Sequence, residues 1–392
     1  MNTTSKKITE LLDSYVGNDF PGCNFLITHN EKEILYYENG YADLETKRKF
    51  TRDTIIRLAS MTKALTSFGA MILVDKEKII VDDYVEKYIP EFQSLKVYKS
   101  GDENNPVLEN PKRKMTIRDL MSHQSGLPSP NEDSEEITSK IAMNIYSNNW
   151  WDSDLNSDQF LLNLSKVPLL FSPGDAWNYG PSIDILGFII ERVSGKTLDK
   201  FLKENIFDIV GMVDTGFTLN NEQLSRLSDL YDYDENSQRY KILQKSSDYK
   251  EKSFFSGGGG GYSTIEDYSK FCKLLLNNGS WDKKKLISDK TFDLLMSNQL
   301  RDKYIYEIGI DINREFFKEK KIAHSLGSAI FENPYEHGWY GAFSSRFRVN
   351  LKENISNIFM PQITFPFIIS KRGQELEDTL TKYTYRLIEE LN

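Results

Sequence analysis

Apolar and polar residues alternate over 22–29 (GCNFLITH) and 32–43 (KEILYYENGYAD), on either side of Asn30-Glu31. That spacing predicts two antiparallel strands joined by a tight turn. Ahead of them, Ile8, Leu11, Leu12 and Tyr15 recur at helical spacing and predict an amphipathic first helix. From Ser60 the pattern changes again: SMTKALTSFGAMILVDKEKI is apolar nearly all round, with Leu65, Phe68, Met71, Ile72 and Val74, and such a helix must be buried. The segments 94–113 and 128–156 are rich in Asn, Asp, Glu, Ser and Pro and read as long loops around short helical patterns. Helical periodicity returns at 157–165, 182–195 and 197–207, where Gly195 can close one helix and Thr197 can cap the next. Beyond 228 come a run of five glycines, a helix over 264–277, strand-like segments at 304–311, 321–332, 341–350 and 355–362, and a final helix over 372–391.

Strands at both ends of a helical middle predict a two-domain α/β (α+β) chain. A discontinuous domain would comprise 1–95 and 230–392, with a mainly helical insertion over 96–229 and an active site at the seam. A length of 392 residues suits two units.

Charge and cysteine content narrow the functional classes. A formal charge of −9 argues against nucleic acid as a partner, and Lys112-Arg113-Lys114 reads as a solvated surface. The N-terminus lacks a signal peptide's apolar core, and the longest apolar stretch, 64–74, is too short for a bilayer. The expectation is a cytoplasmic protein without a membrane span. Cys23 and Cys272 read as buried free thiols. His29, His123, His324 and His337 lack the spacing of a zinc site, so neither metal nor cofactor is expected. The run Gly257–Gly261 is followed by no Gly-Lys-Ser/Thr and reads as tight backbone packing, not a phosphate cradle.

The chemistry concentrates at Arg57-Leu58-Ala59-Ser60-Met61-Thr62-Lys63. Ser60 stands near the start of the buried helix, and Lys63, three residues on, shares its face. A serine hydroxyl is a weak nucleophile until a neighbouring base takes its proton, and an amine within reach can assist. Ser-x-x-Lys alone is a common tetrapeptide. Its weight comes from a strand-like approach and an apolar helix directly after it.

Together with MTIRDLMSHQSGL (115–127), FSPGDAWNYGPSIDILGFIIERVSGKTL (171–198), FSGGGGGYSTIEDYSKFCKLLLNNG (255–279) and WYGAFSSRFRVN (339–350), this motif resembles the serine β-lactamase-like superfamily. The likeness is to the branch of class C β-lactamases, D-alanyl-D-alanine carboxypeptidases and family VIII carboxylesterases, and it covers nearly the whole chain. It implies a β-lactamase/transpeptidase-like fold, an antiparallel sheet flanked by helices with an inserted helical domain. It also implies Ser60, Lys63 and Tyr179 as catalytic residues, with Tyr179 as the general base beside the Lys63 cation. The strand motif that faces the serine in this superfamily reads Trp339-Tyr340-Gly341, which implies an oxyanion hole from the amides of Ser60 and Ala342.

Two departures redirect the reading. The usual Tyr-x-Asn is Tyr179-Gly180-Pro181, without the amide that would bind a β-lactam or peptide. Trp339 stands where a cation would meet the substrate carboxylate, and an indole offers one neutral donor. Both resemble family VIII esterases and related fungal acyltransferases. The expected substrate is a small-molecule ester or amide, contacted by Trp339, Tyr340, Gly341, Pro181 and His337, with His123 as a satisfied structural histidine. An acyl-enzyme on Ser60 acting on small-acyl esters leads. A β-lactamase or D-amino-acid peptidase and an inactive binding protein with this fold stand as alternatives.

Overall fold

In a computed structural model, residues 3–130, 134–146, 155–234, 236–237, 239–310, 317–318, 320–364 and 366–391 are described. The chain begins with helix α1 (Thr3–Tyr15) and the hairpin β1 (Gly22–His29) and β2 (Lys32–Asp43), followed by the short β3 (Arg48–Lys49). Asn30 and Glu31 both have positive φ, 49° and 63°, as the twisted two-residue connection requires. After β4 (Ile56–Arg57) comes helix α2 (Thr62–Asp75), with twelve of its fourteen residues buried. It packs on no single neighbour, which is why no polar face interrupts its sequence. Gly69 is one of its contacts: a Cβ there would come 2.4 Å from the Leu202 side chain.

The stretch expected to be loop at 94–113 forms a hairpin, β5 (Val97–Gly101) and β6 (Pro106–Glu109). Most of its residues are exposed, so no apolar alternation marked it. Helices then dominate: α3 (Ile117–Met121), α4 (Ile137–Tyr146), α5 (Ser157–Leu164), α6 (Ser182–Ser194), α7 (Leu198–Leu202), a π-helical turn over Lys203–Phe207, α8 (Asp208–Val210) and α9 (Asn221–Arg226). Parts of the expected 128–156 loop lie outside the described residues. The apolar faces of α3 to α8 join the cluster that contains Leu65, Phe68 and Met71 of α2, so the helical segment shares its core with the central helix.

A second hairpin, β7 (Leu230–Asp234) and β8 (Arg239–Gln244), precedes the glycine run, β9 (Tyr262–Ser263) and α10 (Ile265–Leu276). A small ribbon, β10 (Ser280–Trp281) and β11 (Lys284–Lys285), leads to α11 (Asp289–Met296). The segment 304–311, expected to be a strand, contains a helical turn, α12 (Ile305–Ile308). The Glu307 carboxylate accepts from the Tyr304 amide at 2.6 Å, a capping contact that outweighs the short alternation YIYEIGI. The strand expected over 321–332 is two short ones around a turn, β12 (Ala323–His324) and β13 (Ala329–Ile330). They are followed by β14 (Glu336–Tyr340), β15 (Arg346–Asn350) and β16 (Ile355–Pro361). Helices α13 (Pro366–Ile369) and α14 (Lys371–Leu391) end the chain.

Eight strands form one antiparallel sheet in the order β12-β13-β14-β15-β16-β1-β2-β3. The two chain ends meet at its centre, where β1 pairs with β16 from Cys23 opposite Pro361 to His29 opposite Ile355. Both faces are covered. Phe25 and Ile27 of β1 pack with Ile8 and Leu12 of α1 and Leu376 and Leu380 of α14, whereas Leu26 points into the cluster around α2 and α10. Cys23 and Cys272 are buried and free. Among the described residues no helix is long and apolar enough to cross a membrane.

Candidate active site

The segment around Ser60 is shaped by backbone before side chains enter. β4 pairs with β9, Arg57 opposite Tyr262, and the Leu58 amide donates to the Gly261 carbonyl at 2.8 Å. Ala59 then adopts φ +46°, a left-handed conformation that costs a residue with a Cβ about 1–2 kcal/mol, and a 3₁₀ turn over Ala59–Met61 runs into α2. The kink leaves Ser60 partly exposed on the wall of a cavity of about 320 Å³ while its neighbours Ala59 and Met61 are buried.

Lys63 is buried one turn into the helical segment, and its ammonium donates to Ser60 Oγ at 3.2 Å and to the Gly258 carbonyl at 2.6 Å. Gly258 is itself fixed by Asp184 of α6, whose Oδ1 accepts from the Gly258 amide at 3.1 Å and from Ser256 Oγ at 2.5 Å. The glycine run is therefore packing, as its sequence context indicated. A Cβ on Gly258 would stand 2.4 Å from the Asp184 carboxylate, and one on Gly261 would stand 2.8 Å from Thr62 Oγ1. The run slots between α2 and α6 and presents a carbonyl to the lysine.

Tyr179 lies half-buried on the other side of Lys63, with the ammonium 4.6 Å from its ring centroid. Three aromatic groups back it: His123 at 4.7 Å between ring centroids, Trp339 at 5.5 Å and Trp177 at 6.2 Å. The Trp339 indole donates to Tyr179 Oη at 3.2 Å, and because an indole N–H can only donate, this contact makes the phenol oxygen an acceptor. His324 closes the group, 5.4 Å from His123 and 5.3 Å from Trp339. Burial holds His123 well below the usual imidazole range, and the nearby His324 and Lys63 push the same way. Burial likewise lowers His324 to about 4, against a contact from Nδ1 to the Ser325 carbonyl at 2.7 Å. The lysine thus sits beside neutral imidazoles.

The strand motif is placed differently from expectation at several positions. Gly341 is needed because a Cβ would meet Leu58 O at 2.6 Å and Ser345 Oγ at 2.4 Å, so the close approach is by the loop that carries Ser60. That approach brings Ala342 onto the same cavity wall as Ser60, and no backbone bond among the described residues takes the Ala342 amide. Tyr340, expected at the substrate, points to the opposite face of the sheet. Strand residues alternate, so if Trp339 faces Tyr179 then Tyr340 must face α14, where its hydroxyl meets Arg348 at 3.0 Å and Glu377 at 3.4 Å. His337 shares the Trp339 face but is buried behind it and does not line the cavity, and burial lowers it to about 4. Pro181 caps α6, and its neighbour Gly180 lines the cavity instead. His123, expected to be satisfied, has a buried Nδ1 with no hydrogen-bond partner among the described residues.

Sequence reasoning missed Asp184, His324 and a wall formed by Arg57, Gln244, Tyr249, Lys250 and Lys252. Asp184 left one signal, a lone carboxylate on the apolar face of SIDILGFII. The others are brought in by tertiary contacts. Among the described residues no group of His, Cys, Asp and Glu is arranged to hold a metal.

A serine opened by a kink, an amine on its hydroxyl and a tyrosine beyond the amine, set between a sheet and a helical segment, are the parts of a serine hydrolase site. Residues 6–346 match the family model described as Beta-lactamase, and the chain belongs to that family. It is 30% identical over 285 residues to Protein Rv1367c of Mycobacterium tuberculosis, covering 72% of this chain and 68% of that one. It is 26% identical over 302 residues to the lovastatin esterase of Penicillium rubens, covering 74% and 72%. Among solved structures, unliganded simvastatin synthase from Aspergillus terreus superposes with a TM-score of 0.81 at 20% identity, covering 98% of each chain. The fold is β-lactamase/transpeptidase-like.

Proposed function

We propose that this enzyme is an esterase that forms an acyl-enzyme on Ser60 and passes the acyl group to water or another alcohol. Ser60 Oγ attacks the ester carbonyl, Tyr179 with Lys63 accepts the hydroxyl proton and returns it to the departing alkoxide, and the amides of Ser60 and Ala342 hold the oxyanion. Acyl transfer to water by the same route, with the proton moving in reverse, regenerates Ser60.

The contact from Trp339 to Tyr179 carries the preference for esters. An indole fills the position where a β-lactam or peptide carboxylate would need a cation, and its single N–H is already directed at the phenol oxygen. Gly180 and Pro181 likewise offer no side-chain amide beside Tyr179. The kinship with an esterase in Penicillium rubens supports the same reading.

A fluorophosphonate probe is expected to label Ser60, read by peptide mass spectrometry. A series of p-nitrophenyl esters of increasing chain length is expected to be hydrolysed, with nitrocefin turned over far more slowly. Ser60→Ala should abolish labelling and hydrolysis together. Nitrocefin turned over faster than every ester would overturn the ester preference, and an unlabelled, folded protein would overturn the acyl-enzyme.

A further inference from the structure

Among the described residues, cations outnumber carboxylates on the cavity wall, in a chain of net charge −9. Its described charged lining comprises Arg57, Lys63, Lys250 and Lys252 against the single carboxylate of Asp184. That carboxylate is buried and already accepts from Ser256 and Gly258. A cavity lined by one sign of charge concentrates ligands of the other.

Arg57 is the decisive residue. It is 8% exposed, its Nη1 donates to the Ser228 carbonyl at 2.7 Å, and no carboxylate among the described residues forms an ion pair with it. Asp229 and Asp248 favour its charge through space without pairing with it, and each also accepts a backbone amide, Asp229 from Ser246 at 2.6 Å and Asp248 from Lys245 at 2.9 Å. Two other largely buried guanidiniums among the described residues are treated differently. Arg346 pairs with Glu377, and Arg348 pairs with both Glu336 and Glu377. A buried guanidinium is strongly penalised unless a counter-charge and hydrogen bonds compensate it. Lys252, half-buried on the same wall, is lowered from its ordinary value by burial and by the Arg57 charge.

Resting on the esterase reading above, we propose that the natural substrate is an ester bearing a free carboxylate, which docks against Arg57 with Lys250 and Lys252 while Ser60 attacks the ester carbonyl. Arg57 precedes Ser60 by three residues, a span of roughly 10 Å at full extension, so anchor and nucleophile engage one small molecule. A guanidinium receives a carboxylate in a planar, two-point contact, and the lysines add charge without orientation. The carboxylate takes no part in bond making; it positions the ester.

The test compares pairs that differ only in charge. Mono-p-nitrophenyl adipate against methyl p-nitrophenyl adipate puts the carboxylate on the acyl side. 4-Acetoxybenzoate against its methyl ester puts it on the alcohol side. In at least one pair the anion is expected to be preferred by about ten- to a hundredfold in kcat/KM, mainly through KM, as charge-assisted contacts of this kind allow. The preference should shrink with added salt, and the anion-to-neutral ratio should collapse in Arg57→Gln and fall in the surface double variant Lys250→Gln/Lys252→Gln. A ratio of one or less in both pairs, or a preference unchanged in both variants, overturns the proposal. Turnover of none of the four esters overturns the esterase reading instead. The anion site is then decided by calorimetry of adipate on Ser60→Ala: binding lost with Arg57→Gln supports it, and no binding overturns it.

Discussion

Tyr179 and Trp339 show how one hydrogen bond ranks the site's residues. The indole gives the phenol oxygen a fixed donor at 3.2 Å, while Lys63 supplies charge 4.6 Å from the ring. Trp339→Phe deletes the donor and leaves a smaller aromatic ring in its place. A neutral hydrogen bond contributes about 0.5–1.5 kcal/mol, so kcat for a p-nitrophenyl ester is expected to fall by roughly two- to tenfold. Tyr179→Phe deletes the hydroxyl proposed to carry the proton and is expected to cost about 10²- to 10⁴-fold, the range of general acid–base catalysis. Equal losses in the two variants would mean that Trp339 does more than orient the phenol. Both residues could be singled out from the sequence only by resemblance, because one tyrosine among 21 has no local mark of function.

At the scale of elements, an ionic cluster fastens α14 to the sheet. Glu377 of α14 meets Arg346 and Arg348 of β15, and Glu336 of β14 meets Arg348 and receives the Tyr385 hydroxyl at 2.7 Å. All of it lies on the face opposite the cavity. Removing one partner of a buried pair leaves an uncompensated charge, so Glu377→Gln is expected to destabilise the protein by about 3–5 kcal/mol in urea unfolding. The folded fraction should keep its kcat; a large loss of kcat would show that the cluster reaches through β14 to Trp339. The periodicity of 372–391 was sufficient to place α14 as a helix. Its docking on β14 and β15 was not legible, since Arg346, Arg348 and Glu377 are ordinary surface residues until the strand alternation turns them inward. The converse error came at 304–311, where a brief alternation resembled a strand and a capping carboxylate made a helical turn.

For the whole molecule, three buried imidazoles set the response to acid. His324 and His337 are lowered to about 4 by burial, and His123 is lowered in the same direction, against about 6.5 in an unfolded chain. Between these values the unfolded chain binds protons that the folded chain excludes, so stability falls as pH drops from about 6.5 toward 4. His324 and His337 each account for up to about 3 kcal/mol over that interval. Burial raises Glu191 and Asp267, which oppose this trend as pH falls, so urea midpoints at pH 7.5, 6.5 and 5.5 are compared between the protein and a histidine variant. A decline through that series, flattened in His337→Asn, is expected. Stability independent of pH there would mean that these rings are solvated or paired.

By itself the sequence determined the central hairpin, the buried helix after Ser60, the closing helix, the family and the serine–lysine pair, because each is written in local periodicity or in residues a few positions apart. The tertiary structure alone decided that Tyr340 faces away from the site while Trp339 touches Tyr179, that Asp184 fixes the carbonyl on which Lys63 rests, and that Arg57 looks into the cavity with Lys250 and Lys252. Those placements depend on strand pleat and on contacts between segments more than seventy residues apart, which no local pattern encodes.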